Sequence, residues 1–83
     1  MWSRTYRNHF IMAFPSFDAA TGKWRAQAEI SWSAGTRRDS VFVRYPRHAE
    51  TEVQAVNVAL QQSLKWVEER IISSPVYSSH RRD

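Results

Sequence analysis

KWRAQAEISW, residues 23–32, alternates polar and apolar side chains without a break. Successive side chains of a β-strand point to opposite faces, so this period of two predicts a strand with one buried face. The apolar face of the strand contains two small residues, Ala26 and Ala28, between larger apolar ones. We therefore expect a second layer of structure to pack closely over the two alanines.

Turn-forming residues lie on both sides of this strand and predict two further strands. The loop 18–22 ends in glycine, and the turn 33–36 contains the only other glycine of the chain. Alternation over residues 8–14 and 38–45 predicts the first and third strands. The apolar residues expected on the buried face, beside Ala26 and Ala28, are Phe10, Met12, Phe14, Val41, Val43 and Tyr45.

Beyond Pro46 the apolar period changes to three and four, which predicts an amphipathic helix. Thr51 followed by Gln54 has the pattern of a capping box and marks the start of this helix. Its predicted apolar stripe consists of Val53, Val56, Leu60, Leu64, Val67 and Ile71. The fold class is therefore α+β: a three-stranded antiparallel meander with one long C-terminal helix packed on one face, in the order β-β-β-α.

Length and composition restrict the class of protein. The chain has 83 residues, no cysteine, 12 Lys and Arg against 8 Asp and Glu, and a formal net charge of +4. This length predicts a single domain over residues 8–72, between a flexible arm at 1–7 and a flexible tail at 73–83. The lack of cysteine excludes disulfides and thiol chemistry. The basic charge favours anionic partners, although a codon bias toward arginine would produce the same excess.

The lengths of the two turns predict the register of the sheet. The expected cross-strand pairs are Phe10 with Ile30, Ala28 with Val41, and Arg25 with Arg44. Like charges directly opposite each other destabilise a sheet, so the two arginines are expected to need a bound anion.

The face of the sheet away from the helix is the candidate functional site. Here basic residues are interleaved with an aromatic ring and an amide, a combination that suits DNA or RNA. The predicted nucleic-acid-binding residues are Lys23, Arg25, Gln27, Arg37, Arg38, Phe42 and Arg44. His9, Ile11 and Ala13 are expected on the same face. Two alternatives stay open: a solvated face without a ligand, or a homodimer interface that buries Phe42 and Ile11.

The sequence favours a binding module over an enzyme. The three histidines, His9, His48 and His80, lack the spacing of metal ligands, and no serine lies in a nucleophile-elbow motif. We therefore predict no catalytic residue, no metal site, no cofactor and no small-molecule substrate. The apolar stretch 10–14 is too short for a signal peptide or a membrane span, so a cytoplasmic location without membrane contact is expected.

Gly22-Lys23-Trp24-Arg25-Ala26, a following strand, and a helix that opens over 50–60 together resemble a known pattern. Over residues 22–66 the chain resembles the sheet-plus-helix DNA-binding domains of the plant AP2 and phage-integrase amino-terminal type. That resemblance implies a sheet that enters the major groove with Arg and Trp side chains. Trp24 departs from the pattern because our register places it on the helix side. The residues that carry over are Arg25, Gln27, Arg38 and Arg44.

The strands followed by an Ala-rich helix are also similar to HicB-like antitoxin domains. This second resemblance implies that the fold serves to bind a protein partner. The longer sheet of those domains is not evident in the sequence.

Overall fold

The computed structural model describes residues 2–73 and confirms an α+β fold with an antiparallel sheet and one C-terminal helix. The sheet has five strands, so the expectation of three was wrong. The elements are β1 (Trp2–Tyr6), β2 (His9–Ala13), β3 (Ser16–Asp18), β4 (Lys23–Ala34), β5 (Arg37–Ala49) and α1 (Glu52–Ser73). Strand β4 is central: β2 and β3 pair along one side of it and β5 along the other, and β1 pairs with β2.

Strand β1 occupies most of the segment that the sequence predicted as a flexible arm. It pairs with β2 through a tight turn in which both connecting residues, Arg7 and Asn8, have positive φ angles of 49° and 64°. Two residues of positive φ are the geometry of a type I′ hairpin turn, which matches the natural twist of two paired strands. Of the predicted tail, residues 74–83 lie outside the described residues, and Ser73 is the last residue of α1.

The face of β2 is the opposite of the expected one. Ile11 pairs with Ile30, where Phe10 was expected. A shift of one residue turns every side chain of a strand to the other face. The residues that consequently lie buried under the helix are His9, Ile11 and Ala13. The loop explains the shift, because strand pairing continues to Asp18 and Lys23 and leaves four connecting residues instead of five.

The register between β4 and β5 is shifted by two residues, which keeps the predicted faces. Ala28 lies opposite Val43 because the hairpin loop is Gly35-Thr36, with Gly35 at a φ of 68°. A bulge then interrupts the pairing between Arg25 and Gln27. The bulge places Arg25 opposite His48.

Arg44 lies opposite Gln27. The predicted juxtaposition of Arg25 and Arg44 was therefore wrong, and the expected demand for an anion between them disappears with it.

Small residues on both layers bring the helix close to the sheet, as predicted from the alanines of β4. The fully buried helix residues include Ala55, Ala59 and Ser63, and Ala28 is 0% exposed beneath them. The buried stripe is centred on these small residues, so Val53, predicted to lie in it, is 59% exposed.

The N-terminal cap of α1 forms as the sequence predicts. The backbone N–H of Gln54 donates to Thr51 Oγ1 at 3.1 Å. The side-chain oxygen of Gln54 accepts from the backbone N–H of Glu50 at 3.2 Å. The bond to Thr51 satisfies a donor that the first turn of a helix otherwise leaves without a partner, and the bond from Glu50 fixes the chain just before the cap. Within residues 2–73, no helix has the length and apolar character needed to cross a membrane.

Candidate nucleic-acid interface

Six of the seven predicted site residues share the face of the sheet that α1 leaves open. They are Lys23, Arg25 and Gln27 on β4, and Arg38, Phe42 and Arg44 on β5. Arg37 is the exception, because it pairs with Ala34 at the hairpin and falls on the helix side of the alternation. There its guanidinium lies 3.7 Å from a carboxylate oxygen of Asp39.

The reversed face of β2 adds three apolar residues to the open face that the sequence reasoning placed in the core. They are Phe10, Met12 and Phe14. Phe14 continues the strand ladder, since its backbone N–H donates to the Gln27 carbonyl at 2.9 Å. Phe14 is 39% exposed and Phe42 is 53% exposed. Alternation could not place Phe10, Met12 and Phe14 on this face, because both faces of 9–14 are mostly apolar.

We use the name aromatic patch for Phe10, Met12, Phe14, Gln27, Phe42 and Arg44. Two of its rows run across the sheet, one through Phe14, Gln27 and Arg44, the other through Met12, Glu29 and Phe42. Neighbouring strands lie about 4.8 Å apart, so the two outer residues of a row are roughly 10 Å apart. The two exposed rings therefore flank the central strand on opposite sides.

Gln27 occupies the middle of the aromatic patch with an unused acceptor. Its Oε1 atom is shielded from solvent and has no hydrogen-bond partner among residues 2–73. A buried acceptor without a partner costs free energy, so this amide is available to any donor that displaces the side chains around it.

The other end of the open face is an ionic corner, formed by Asp18, Lys23, Arg25, His48 and Glu50. The Lys23 ammonium lies 3.3 Å from Glu50, and the Arg25 guanidinium lies 3.4 Å from Asp18. His48 Nε2 is also 3.4 Å from Asp18. These contacts connect β3, β4 and the end of β5, so two of the predicted phosphate-binding cations already have acidic partners.

Asp18 is the centre of this corner. The backbone N–H of Ala20 donates to Asp18 Oδ1 at 3.0 Å and lowers the pKa of the carboxyl group, against an opposing effect of partial desolvation. The positive charge of Arg25 lowers this pKa further. The carboxylate is thereby held ionised and keeps neutralising the cations around it.

Arg44 differs from the other predicted cations. It is exposed, and it makes no salt bridge or hydrogen bond with any of residues 2–73. Arg38, by comparison, donates to Ser31 Oγ at 2.9 Å. Arg44 is therefore the cation of the aromatic patch that is available to an external anion.

Two residues expected on the open face, Ile11 and His9, are buried under the helix instead. Ile11, proposed with Phe42 for a homodimer interface, is 0% exposed in the core, so that version of the interface was wrong. His9 is buried and hydrogen bonded, with Nδ1 2.7 Å from the Arg7 carbonyl. Within residues 2–73, no three His, Asp or Glu side chains are grouped to hold a metal ion.

The open face therefore carries a neutralised ionic corner, an aromatic patch with the available cation Arg44, and Arg38 near the hairpin, which is hydrogen bonded to Ser31. Comparison of the chain with protein-family models, with curated proteins and with solved structures found no match.

Proposed function

We propose that the protein binds single-stranded DNA or RNA through the aromatic patch. The observation that carries the proposal is the position of Phe14 and Phe42, two exposed rings on either side of Gln27, with Arg44 in the same row as Gln27. Every base has a flat face, so aromatic rings on a sheet bind unpaired bases by stacking.

The type of side chain favours single strands over duplex DNA. Gln27 has a donor and an acceptor with which to read a base-pair edge in a groove. The phenyl rings, which make up most of the exposed surface of the patch, have neither. The cations that would hold a duplex backbone, Lys23 and Arg25, lie in salt bridges. Stacking on Phe14 and Phe42 does not depend on those cations.

The position of the charges suggests how a strand would lie. Arg44 and Phe42 are two residues apart on β5, so their side chains project from the same face roughly 7 Å apart. We expect Arg44 to bind a phosphate while a neighbouring base stacks on Phe42. Glu29, between Met12 and Phe42, repels phosphate and can accept a hydrogen bond from a base amino group.

Fluorescence anisotropy with labelled single-stranded RNA, single-stranded DNA and duplex DNA at low salt tests the proposal. Phe42→Ala and Phe14→Ala are each expected to weaken binding of single strands by about 1–3 kcal/mol. Phe17→Ala is the matched control, because Phe17 is 56% exposed but packs edge-on against Trp24 on the other face. Equal losses for Phe17→Ala and Phe42→Ala, or no binding of any oligonucleotide, would contradict the proposal.

A further inference from the structure

The outer edge of β5 carries a second surface. Strand β5 covers Arg37–Ala49, and among residues 2–73 it pairs with β4 only. A long unpaired edge is a template for another strand, and proteins commonly protect such edges with charge, proline or a bulge. In β5 the bulge and Pro46 lie after Arg44, and the stretch 40–43 between the charged residues Asp39 and Arg44 has neither charge nor proline.

The hydrogen-bonding pattern of β4 determines which groups of β5 point outward. The Gln27 carbonyl accepts from Phe14 on the β2 side, so the next residue, Ala28, bonds to β5 at Val43. Bonded residues alternate along an antiparallel strand. The residues of β5 with backbone N–H and C=O directed to the free edge are therefore Ser40, Phe42 and Arg44.

We propose that two copies of this chain pair their β5 strands in antiparallel fashion about a two-fold axis at Phe42. The two five-stranded sheets then form one continuous sheet, with both helices on the same side. Phe42 lies opposite Phe42 of the second copy, and Ser40 lies opposite Arg44. Within the regularly paired part of β5, residues 37–44, the segment 40–44 is symmetric about Phe42, so the whole of it takes part in the pairing.

The residues along the edge favour a two-fold axis at Phe42 over an axis at the residue before or after it. With the axis at Phe42, Val41 lies opposite Val43 and no two like charges meet within 40–44. An axis at Val41 would place Arg38 opposite Arg44, which repel each other.

An axis at Val43 would lie closer to the bulge, so only residues 42–44 of the regularly paired segment would be symmetric about it. The paired edge with the axis at Phe42 exchanges two backbone hydrogen bonds at each of its three bonded pairs.

Sedimentation equilibrium of the full chain without nucleic acid tests the register. Ser40→Lys places two like-charged pairs across the axis and is expected to raise the dimer dissociation constant roughly 2- to 30-fold. Ser40→Glu faces Arg44 of the second copy and is expected to lower it. The double variant Ser40→Lys/Arg44→Glu restores the attraction and is expected to dimerise more tightly than Ser40→Lys.

These outcomes separate the dimer from the proposed function. Residues 40 and 44 of one copy are four positions apart on an extended strand, so the rescue can arise only between copies. A chain that sediments as a monomer at every concentration, or a double variant without rescue, overturns the proposal. Phe14→Ala is the complementary variant, because it removes a stacking ring far from the edge and leaves the dimer unchanged.

Discussion

The hydroxyl groups of Tyr45 on β5 and Ser63 on α1 lie 2.8 Å apart and form a polar contact between sheet and helix. Ser63 is 0% exposed, and Tyr45 is half-buried. Burying a hydroxyl group without a hydrogen bond costs free energy of folding. This contact therefore links the position of the helix to that of the edge strand.

Tyr45→Phe is expected to destabilise the fold by about 1–3 kcal/mol, because it leaves the Ser63 hydroxyl buried without this partner. Ser63→Ala is expected to cost less, because the Tyr45 hydroxyl it leaves behind is only partly buried. Urea unfolding of the two variants and of the double variant measures the difference. A larger cost for Ser63→Ala than for Tyr45→Phe would contradict this account.

Burial raises the pKa of Tyr45 above its ordinary value of 10.0, against the opposing effect of the Ser63 hydrogen bond. A group with a raised folded-state pKa contributes stability that is present below its unfolded pKa and is lost as the pH rises through the folded value. Stability is therefore expected to fall above pH 10, and part of that fall is expected to be absent in Tyr45→Phe.

A second prediction concerns His9, which joins the first hairpin to the last turn of the helix. Its Nδ1 donates to the Arg7 carbonyl at 2.7 Å, which leaves Nε2 to accept from Arg70 at 3.2 Å. His9→Asn places an amide N–H near the position of Nδ1, and His9→Gln places an amide near that of Nε2. We expect the asparagine variant to be more stable by about 1 kcal/mol, since it keeps the shorter of the two bonds, 2.7 Å against 3.2 Å.

Chemical denaturation of the two His9 variants measures this difference, and His9→Leu serves as a control without either bond. Both amides lose the contact between the imidazole ring and Trp32, whose centroids are 5.4 Å apart, so that loss cancels in the comparison. If all three variants are equally stable, the hydrogen bonds of His9 contribute nothing measurable.

The sequence predicted the central strand and the helix because each of them has only one face that is suited to burial. In 23–32 the two faces differ at every position, and in α1 the capping residues Thr51 and Gln54 mark the start. In β2 either face could be the buried one, since Phe10 and Ile11 are equally suited to burial. The length of the following loop then determines the face, and one residue of error in that loop reversed it.

The sequence analysis placed most of the cations and one ring, Phe42, on the open face, and it missed the ring of Phe14. Alternation along β4 and β5 correctly placed six residues on the open face. The salt bridges of Arg25 and Lys23 depend on β3 and on the bulge in β5, and neither has a clear signal in the sequence. Phe14 was hidden by the reversed face of its strand.

The two faces of β4 are tested by a matched pair of substitutions. Ala28 is 0% exposed beneath α1, so Ala28→Leu is expected to cost about 1–3 kcal/mol by overpacking. Gln27→Leu on the open face is expected to be neutral or stabilising, because it removes an acceptor that has no partner. Thermal unfolding of the pair measures both effects. Unfolding by Gln27→Leu with a neutral Ala28→Leu would mean that the helix packs on the other face.

The last prediction concerns the salt dependence of nucleic-acid binding. Each phosphate neutralised on a single strand contributes about 0.7 to the slope of log K against log salt concentration, because condensed cations are released. Arg44 has no acidic partner among residues 2–73, so Arg44→Ala is expected to reduce the slope by about that amount. Lys23 already lies 3.3 Å from Glu50, so Lys23→Ala is expected to change the slope little.

Phe42→Ala completes the comparison, because it should weaken binding at every salt concentration without changing the slope. Stacking of a base on a ring releases no cations, whereas contact between a phosphate and Arg44 does. The measurement is a titration of labelled single-stranded oligonucleotide at several salt concentrations for the parent chain and the three variants. Equal loss of slope in Lys23→Ala and Arg44→Ala would show that the overall positive charge, and not the aromatic patch, attracts the nucleic acid.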